Sequence, residues 1–109
     1  MKGLFLDDER NPSDVTWVNY PTGIEWRVVR NFTEFVLAVQ SYNFEVMSLD
    51  HDLQDFSRGS EMTGYDCIKY FVWKAPDRIT QPQVFVHSMN PVGKVNILSY
   101  WGNYLDTLK

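Results

Sequence analysis

Three short clusters hold most of the side chains in this sequence that could do chemistry: Asp7-Asp8-Glu9-Arg10, Asp50-His51-Asp52 and His87-Ser88-Met89-Asn90. Both histidines of the chain fall inside them. Carboxylates brought close together repel one another and lose hydration, so such a cluster persists only where a cation, a proton or hydrogen-bond donors compensate. A divalent metal is the most direct compensation. Mg²⁺ takes oxygen ligands and keeps several waters, so two or three of Asp7, Asp8 and Asp50 with a backbone carbonyl would suffice, and Asp52 is a further carboxylate beside them. A nitrogen from His51 or His87 would tilt the preference toward Mn²⁺, Fe²⁺ or Zn²⁺. Mg²⁺ or Mn²⁺ is the expected cofactor. The same histidines could move protons near neutral pH, with Asp52 orienting one of them.

Other residues could hold a phosphate. A helix starting at Asn90-Pro91-Val92-Gly93 would present free backbone N–H groups and the positive end of its dipole, and Thr63-Gly64 offers a second such start. Ser57-Arg58-Gly59-Ser60 lies in a stretch, residues 53 to 62, long enough to act as a lid, with Arg58 able to pair with a phosphate. Other chemistries lack their signatures: the chain has no G-x-G-x-x-G, Walker loop, G-x-S-x-G or paired-cysteine spacing. Cys67 is expected in the core of a helix, and the tryptophans and the Tyr65, Tyr70, Phe71, Trp73 cluster read as packing residues.

These clusters share one kind of position: each follows a short apolar run. Leu4-Phe5-Leu6, Trp26-Arg27-Val28-Val29, Val46-Met47-Ser48-Leu49 and Val84-Phe85-Val86 are brief, rich in aromatic or β-branched residues and bounded by polar ones, which predicts four strands. They lack clean in-out alternation, as strands covered on both faces do. Helical periods lie between them. Residues 31 to 42 bring Phe32, Phe35, Val36 and Val39 to one face, with Asn31 and Glu34 spaced as a capping box. Residues 64 to 74 place Tyr65, Ile68 and Val72 on a stripe, with Thr63 as the cap and Pro76 just past the end. From Pro91 to about Leu108, Val95, Leu98, Trp101, Leu105 and Leu108 recur at steps of three and four. Residues 11 to 24, with Pro12, Pro21 and Gly23, show no sustained period and read as a loop with one short turn around Asp14 to Trp17. Strands alternating with helices predict an α/β domain with a parallel sheet, whose carboxyl edge gathers all three clusters.

Composition bounds the rest. The chain has 109 residues, 44% of them apolar and 16% aromatic, enough for one domain with a core that needs no staples. A single cysteine and no apolar run of roughly 20 residues point to a reducing cytoplasm and no membrane span. Ten Lys and Arg against fourteen Asp and Glu give a net charge of −4, with the cations scattered, which argues against a long duplex nucleic acid as partner. A small phosphorylated ligand is compatible with that balance.

The ordered motifs Leu6-Asp7-Asp8-Glu9-Arg10-Asn11-Pro12, Ser48-Leu49-Asp50-His51-Asp52-Leu53, Thr63-Gly64-Tyr65-Asp66 and His87-Ser88-Met89-Asn90-Pro91-Val92-Gly93 resemble those of the cyclic-phosphate processing receiver domain family, derived from response-regulator receivers. The resemblance implies a three-layer, flavodoxin-like fold with a reduced sheet of about four parallel strands. It implies that Asp7 and Asp8 stand where receivers keep a metal-binding acidic pair, Asp50 where they keep the phosphoacceptor, and Ser88 where they keep a hydroxyl. After the fourth predicted strand a long helix is expected, with no fifth strand and no lysine at its tip, so signalling by phosphorelay is not the expectation. The family implies processing of cyclic phosphates in an RNA-repair or nucleotide-signalling setting.

Residues and resemblance together give the expected function: a divalent-metal-dependent phosphoesterase that opens a cyclic phosphate on a nucleotide or RNA end. In this reading Asp7, Asp8, Asp50 and Asp52 supply metal ligands, while Asp50, His51, His87 and Ser88 supply catalysis. Asn90, Gly93, Arg58 and Thr63 contact the substrate. The alternatives are a phosphoacceptor switch acting through Asp50 and a non-catalytic module that binds a phosphorylated ligand or a protein.

Overall fold

In the computed structural model, which describes residues 1–74 and 81–109, four strands form one sheet: β1 (Lys2–Leu6), β2 (Glu25–Val29), β3 (Val46–Leu49) and β4 (Gln83–Val86). All pairings are parallel and the order is β2-β1-β3-β4, so the chain winds outward in both directions from β1 and β3. The strands sit where the apolar runs predict them. The helices are α1 (Phe32–Ser41), α2 (Gly64–Lys74) and α3 (Pro91–Thr107). Pro76, expected to end α2, lies outside the described residues.

Alternation along the strands divides the core in two. Leu4, Leu6, Met47, Leu49 and Val86 face the helices, where they meet Phe35 of α1, Cys67, Ile68 and Phe71 of α2, and Ile97 and Trp101 of α3. All three helices therefore cover the same face. The other face presents Phe5, Trp26 and Phe85, and here the third layer is the irregular segment from 11 to 24. Tyr20 of that segment packs edge-on against Trp26 and Phe85, with ring centroids 5.0 and 5.3 Å away, and Phe5 meets Trp26 the same way at 5.9 Å. Aromatic pairs of this geometry contribute about 0.5–1.5 kcal/mol beyond their burial, so a segment without a helix still closes a layer. Val15 is buried with it. The segment's one regular turn is a 3-10 turn at Pro12–Asp14, two to three residues earlier than the sequence suggests, because proline presets the dihedral of the first position.

The α3 stripe differs from the expected one. Val95, Leu98 and Leu108 are exposed, whereas Gly93, Ile97 and Trp101 are buried. The helix packs mainly on α2 and the edge strand β4, so a narrow strip at steps of four suffices and Val95 lies on its far side. In α2 the buried strip is Gly64, Cys67, Ile68 and Phe71, with Tyr65 and Val72 partly buried at its flanks. Among the described residues no helix is long and apolar enough to cross a membrane.

Candidate functional site

The sheet register builds the site. Leu6 pairs with Leu49 and Leu49 with Val86, so the next residues, Asp7, Asp50 and His87, emerge side by side from three neighbouring strands. Donor atoms of these three lie within 4.8 Å of one another, and all three residues are buried. A cleft of about 520 Å³ opens above them, lined by Asp7, Asp8, Glu9, Arg10, Asp50, Asp52, Gln54, Ser88, Met89, Asn90 and Pro91. Gln54 holds a left-handed φ of 55° at the cleft wall, a conformation uncommon outside glycine.

Asp7 is held on every side. Its Oδ1 accepts the amides of Glu9 and Arg10 at 2.8 and 2.9 Å, and its Oδ2 lies 3.0 Å from His87 Nε2 and 3.3 Å from Arg10 Nη1. Burial pushes the carboxyl up, but these donors outweigh it and keep Asp7 below its ordinary range. Asp50 has fewer donors, the His51 amide and the Ser88 hydroxyl. Burial, and then the Asp7 charge, push it up to about 6. Burial also raises Asp8, with Asp7 and Glu9 adding repulsion. The expected crowding of carboxylates is therefore present, and its donor set of Asp7, Asp8 and Asp50 oxygens fits a hard divalent cation. Asp52, the fourth expected ligand, lines the cleft but is held low by its bond from His51 Nδ1, at 2.9 Å, and by Asn90 Nδ2.

The two histidines have different surroundings. His87 is 0% exposed, and its ring is stacked on Phe5 with centroids 4.4 Å apart and planes 5° from parallel. Its Nδ1 lies 2.7 Å from Ser48 Oγ, which lies 2.6 Å from Tyr20 OH. Burial lowers the His87 pKa against the pull of Asp7, which favours a neutral imidazole at pH 7. Both ring nitrogens are thus engaged within the protein, so His87 reaches the cleft only through Asp7. His51 is partly exposed, paired with Asp52, and packed so closely on Gly93 that a Cβ there would lie 2.3 Å from the ring. Gly64 has a comparable role beneath Asp50: a Cβ would stand 1.8 Å from the Asp50 carbonyl oxygen, while the Gly64 amide donates to His51 O at 2.8 Å.

The expected phosphate contacts are placed differently. The Gly93 amide donates to Asn90 Oδ1 and the Asn90 amide to Ser88 Oγ, both at 3.1 Å, and Pro91 has no N–H, so two of the amides expected for phosphate are engaged locally although Asn90 itself lines the cleft. Thr63 is likewise occupied: its amide and hydroxyl donate to Asp66 Oδ2 at 2.8 and 3.1 Å in a cap at the start of α2. Arg58 lies over the Phe32 ring at 4.9 Å and donates to Thr33 Oγ1, away from the cleft lining. Its loop is tied to α1 by Asp55, whose Oδ2 accepts the Phe32 amide at 3.0 Å, so the stretch from 53 to 62 is docked rather than poised over the site.

Two arginines stand at the acidic turn. Arg10 lines the cleft, bonds Asp7 and lies 5.4 Å from the Trp17 ring centroid. Arg30 donates to the carbonyls of Asp7 and Arg10 at 3.1 and 2.6 Å and to Asn11 Oδ1 at 2.6 Å, clamping the turn that carries the acidic pair. Trp17 Nε1 donates to His87 O at 3.1 Å. Ser48 had a legible signal: it is a hydroxyl in an apolar run, two residues before Asp50 and thus on the same sheet face. Arg30 and Tyr20 had none, because only folding brings them here.

A family model described as the Cyclic-phosphate processing Receiver domain matches residues 2–103. No curated protein and no solved structure gives a significant match. The family match spans nearly the whole chain, and the chain belongs to that family.

Proposed function

For this member of the cyclic-phosphate processing receiver family, we propose a divalent-metal-dependent phosphoesterase that opens a cyclic phosphate on a nucleotide or RNA end. The observation that carries the reading is the convergence of the buried Asp7 and Asp50 carboxylates within 4.8 Å at the floor of an open cleft, with His87 behind Asp7. Asp7, Asp8 and Asp50 would hold the cation, which when bound supplies charge stabilisation at the phosphoryl group and an acidified water. Arg10, beside Asp7 at the cleft wall, binds phosphoryl oxygens with its guanidinium. Ser88 donates to Asp50 and orients that carboxylate. The proton of the ring-opening step falls to the His51–Asp52 pair at the rim, since His87 is sealed.

The test is a turnover assay with nucleoside 2′,3′-cyclic phosphates under Mg²⁺, Mn²⁺ and Zn²⁺. Turnover should require metal. His51→Ala should lower kcat by about 10²-fold with less change in KM, the signature of a group acting in the transition state. No turnover with any metal, together with phosphate accepted on Asp50 from a small phosphodonor, would replace this reading by the phosphoacceptor switch. Tight ligand binding without turnover would replace it by the binding module.

A further inference from the structure

A row of buried polar groups joins the segment from 11 to 24 to the acidic site. Tyr20 OH, Ser48 Oγ, His87 Nδ1 and then His87 Nε2 with Asp7 Oδ2 follow one another at 2.6, 2.7 and 3.0 Å. Ser48 and His87 are 0% exposed, so no water can substitute for a missing partner at the middle of the row.

The direction of the hydrogen bonds follows from counting protons. Asp7 accepts two backbone amides on one oxygen and faces the Arg10 guanidinium with the other, so its carboxylate is an acceptor throughout. His87 Nε2 must then be the donor. With Nδ1 left as the acceptor, Ser48 donates its only proton to the ring and accepts from Tyr20, and every group in the row has one satisfied role. The stack on Phe5 fixes the plane of the imidazole and Asp7 draws its proton to Nε2, so the hydroxyls act by satisfying Nδ1.

We propose that Tyr20 and Ser48 are positioning residues of the acidic site: by satisfying His87 Nδ1 they hold the ring so that its Nε2–H keeps the Asp7 carboxylate in place for its ligand. The inference deepens the phosphoesterase reading and rests on it for the identity of that ligand, a divalent cation. It gives the helix-less segment a functional reason to cover its face, since that segment supplies the first donor of the row. Groups that orient a metal-binding carboxylate or histidine in this way typically change metal affinity 10- to 100-fold when removed.

The experiment compares the wild type with Ser48→Ala, Tyr20→Phe and, as a packing control on the same strand and face, Val46→Ala, whose side chain is buried outside the row. Three readouts are taken on the whole chain: the His87 tautomer from side-chain ¹⁵N shifts, hydrogen exchange at the Glu9 and Arg10 amides in metal-free protein, and Mn²⁺ affinity. The wild type should show the Nε2–H form alone. Ser48→Ala should shift the His87 Nδ1 resonance as its hydrogen bond is lost, speed exchange at both amides at least tenfold and weaken Mn²⁺ about tenfold, while Tyr20→Phe moves the same readouts less and Val46→Ala leaves them unchanged. A wild-type Nδ1–H form overturns the proposal, as does a Ser48→Ala protein with unchanged exchange and unchanged Mn²⁺ affinity, or a Val46→Ala protein that matches its effects. If the wild type binds no Mn²⁺ while the Nδ1 resonance and exchange respond as expected, the positioning role stands and the metal-dependent reading falls.

Discussion

The Asp50 carboxyl stands 6% exposed beside the Asp7 charge, with fewer donors than its neighbour, and this imbalance has a thermodynamic signature. Its folded pKa of about 6 lies above the ordinary 3.8, so between those values the folded protein binds more protons than the unfolded chain. Stability from this group therefore falls as pH rises from about 4 to 6, and above that range the buried charge costs about 3 kcal/mol at ~1.4 kcal/mol per pH unit. Asp50→Asn removes the charge while keeping the shape. In metal-free protein at pH 7.5 the variant should melt roughly 10–15 °C above the wild type, and the difference should shrink toward zero near pH 4. Calorimetry across that pH range checks it, and a variant that melts below the wild type at pH 7.5 would show that Asp50 is not strained. The same residue explains why Gly64 must be glycine, since a side chain there would displace the very backbone that aims Asp50.

At the scale of elements, helix starts decide where donors go. Asn31 and Asn90 accept the amides of Glu34 and Gly93, as the cap patterns predict, and that cap takes the Gly93 amide out of the phosphate cradle expected at Asn90–Gly93. Strand positions, parallel pairing and the strand-end placement of Asp7, Asp50 and His87 were legible because short apolar runs and their polar followers are local patterns. The docking of Arg58 on Phe32, the burial of His87 behind Asp7 and the choice of Ile97 over Val95 as the inward residue were not, because each depends on which distant element lies opposite. Asp55 shows how such a long-range tie can be tested. It is 8% exposed and accepts the Phe32 amide at the start of α1, in addition to the Ser57 amide and hydroxyl. Asp55→Ala should cost about 1 kcal/mol, lowering Tm by roughly 4–8 °C, and free the 53–62 loop to proteolysis. Turnover per folded molecule should stay within twofold, because Arg58 lies away from the cleft and Gln54 is the only residue of its loop among those lining it; a tenfold loss would return the loop to the role of lid.

Across the whole molecule, the fold places its electrostatic cost at one edge and its packing elsewhere. One face of the sheet is closed by three helices, the other by an aromatic segment, and the carboxyl edge is left open with Asp7, Asp8 and Asp50 around a cleft. A cation that binds there only in the folded state must raise stability by mass action, by about 2.7 kcal/mol at a hundred times its dissociation constant. For a domain of this size that is roughly a 10 °C rise in Tm at saturating Mg²⁺ or Mn²⁺. The rise should fade as pH drops below about 6, where protons compete for Asp50, and Asp50→Asn should reduce it at pH 7.5 even though that variant starts from a higher metal-free Tm. The two effects of one substitution thus have opposite signs, more stability without metal and less gain with it, which a general change in packing would not produce. Scanning calorimetry of both proteins with and without metal measures all four values. Equal metal-induced rises in wild type and variant would remove Asp50 from the ligand set, and no rise in the wild type would leave the three carboxylates without a cation to hold.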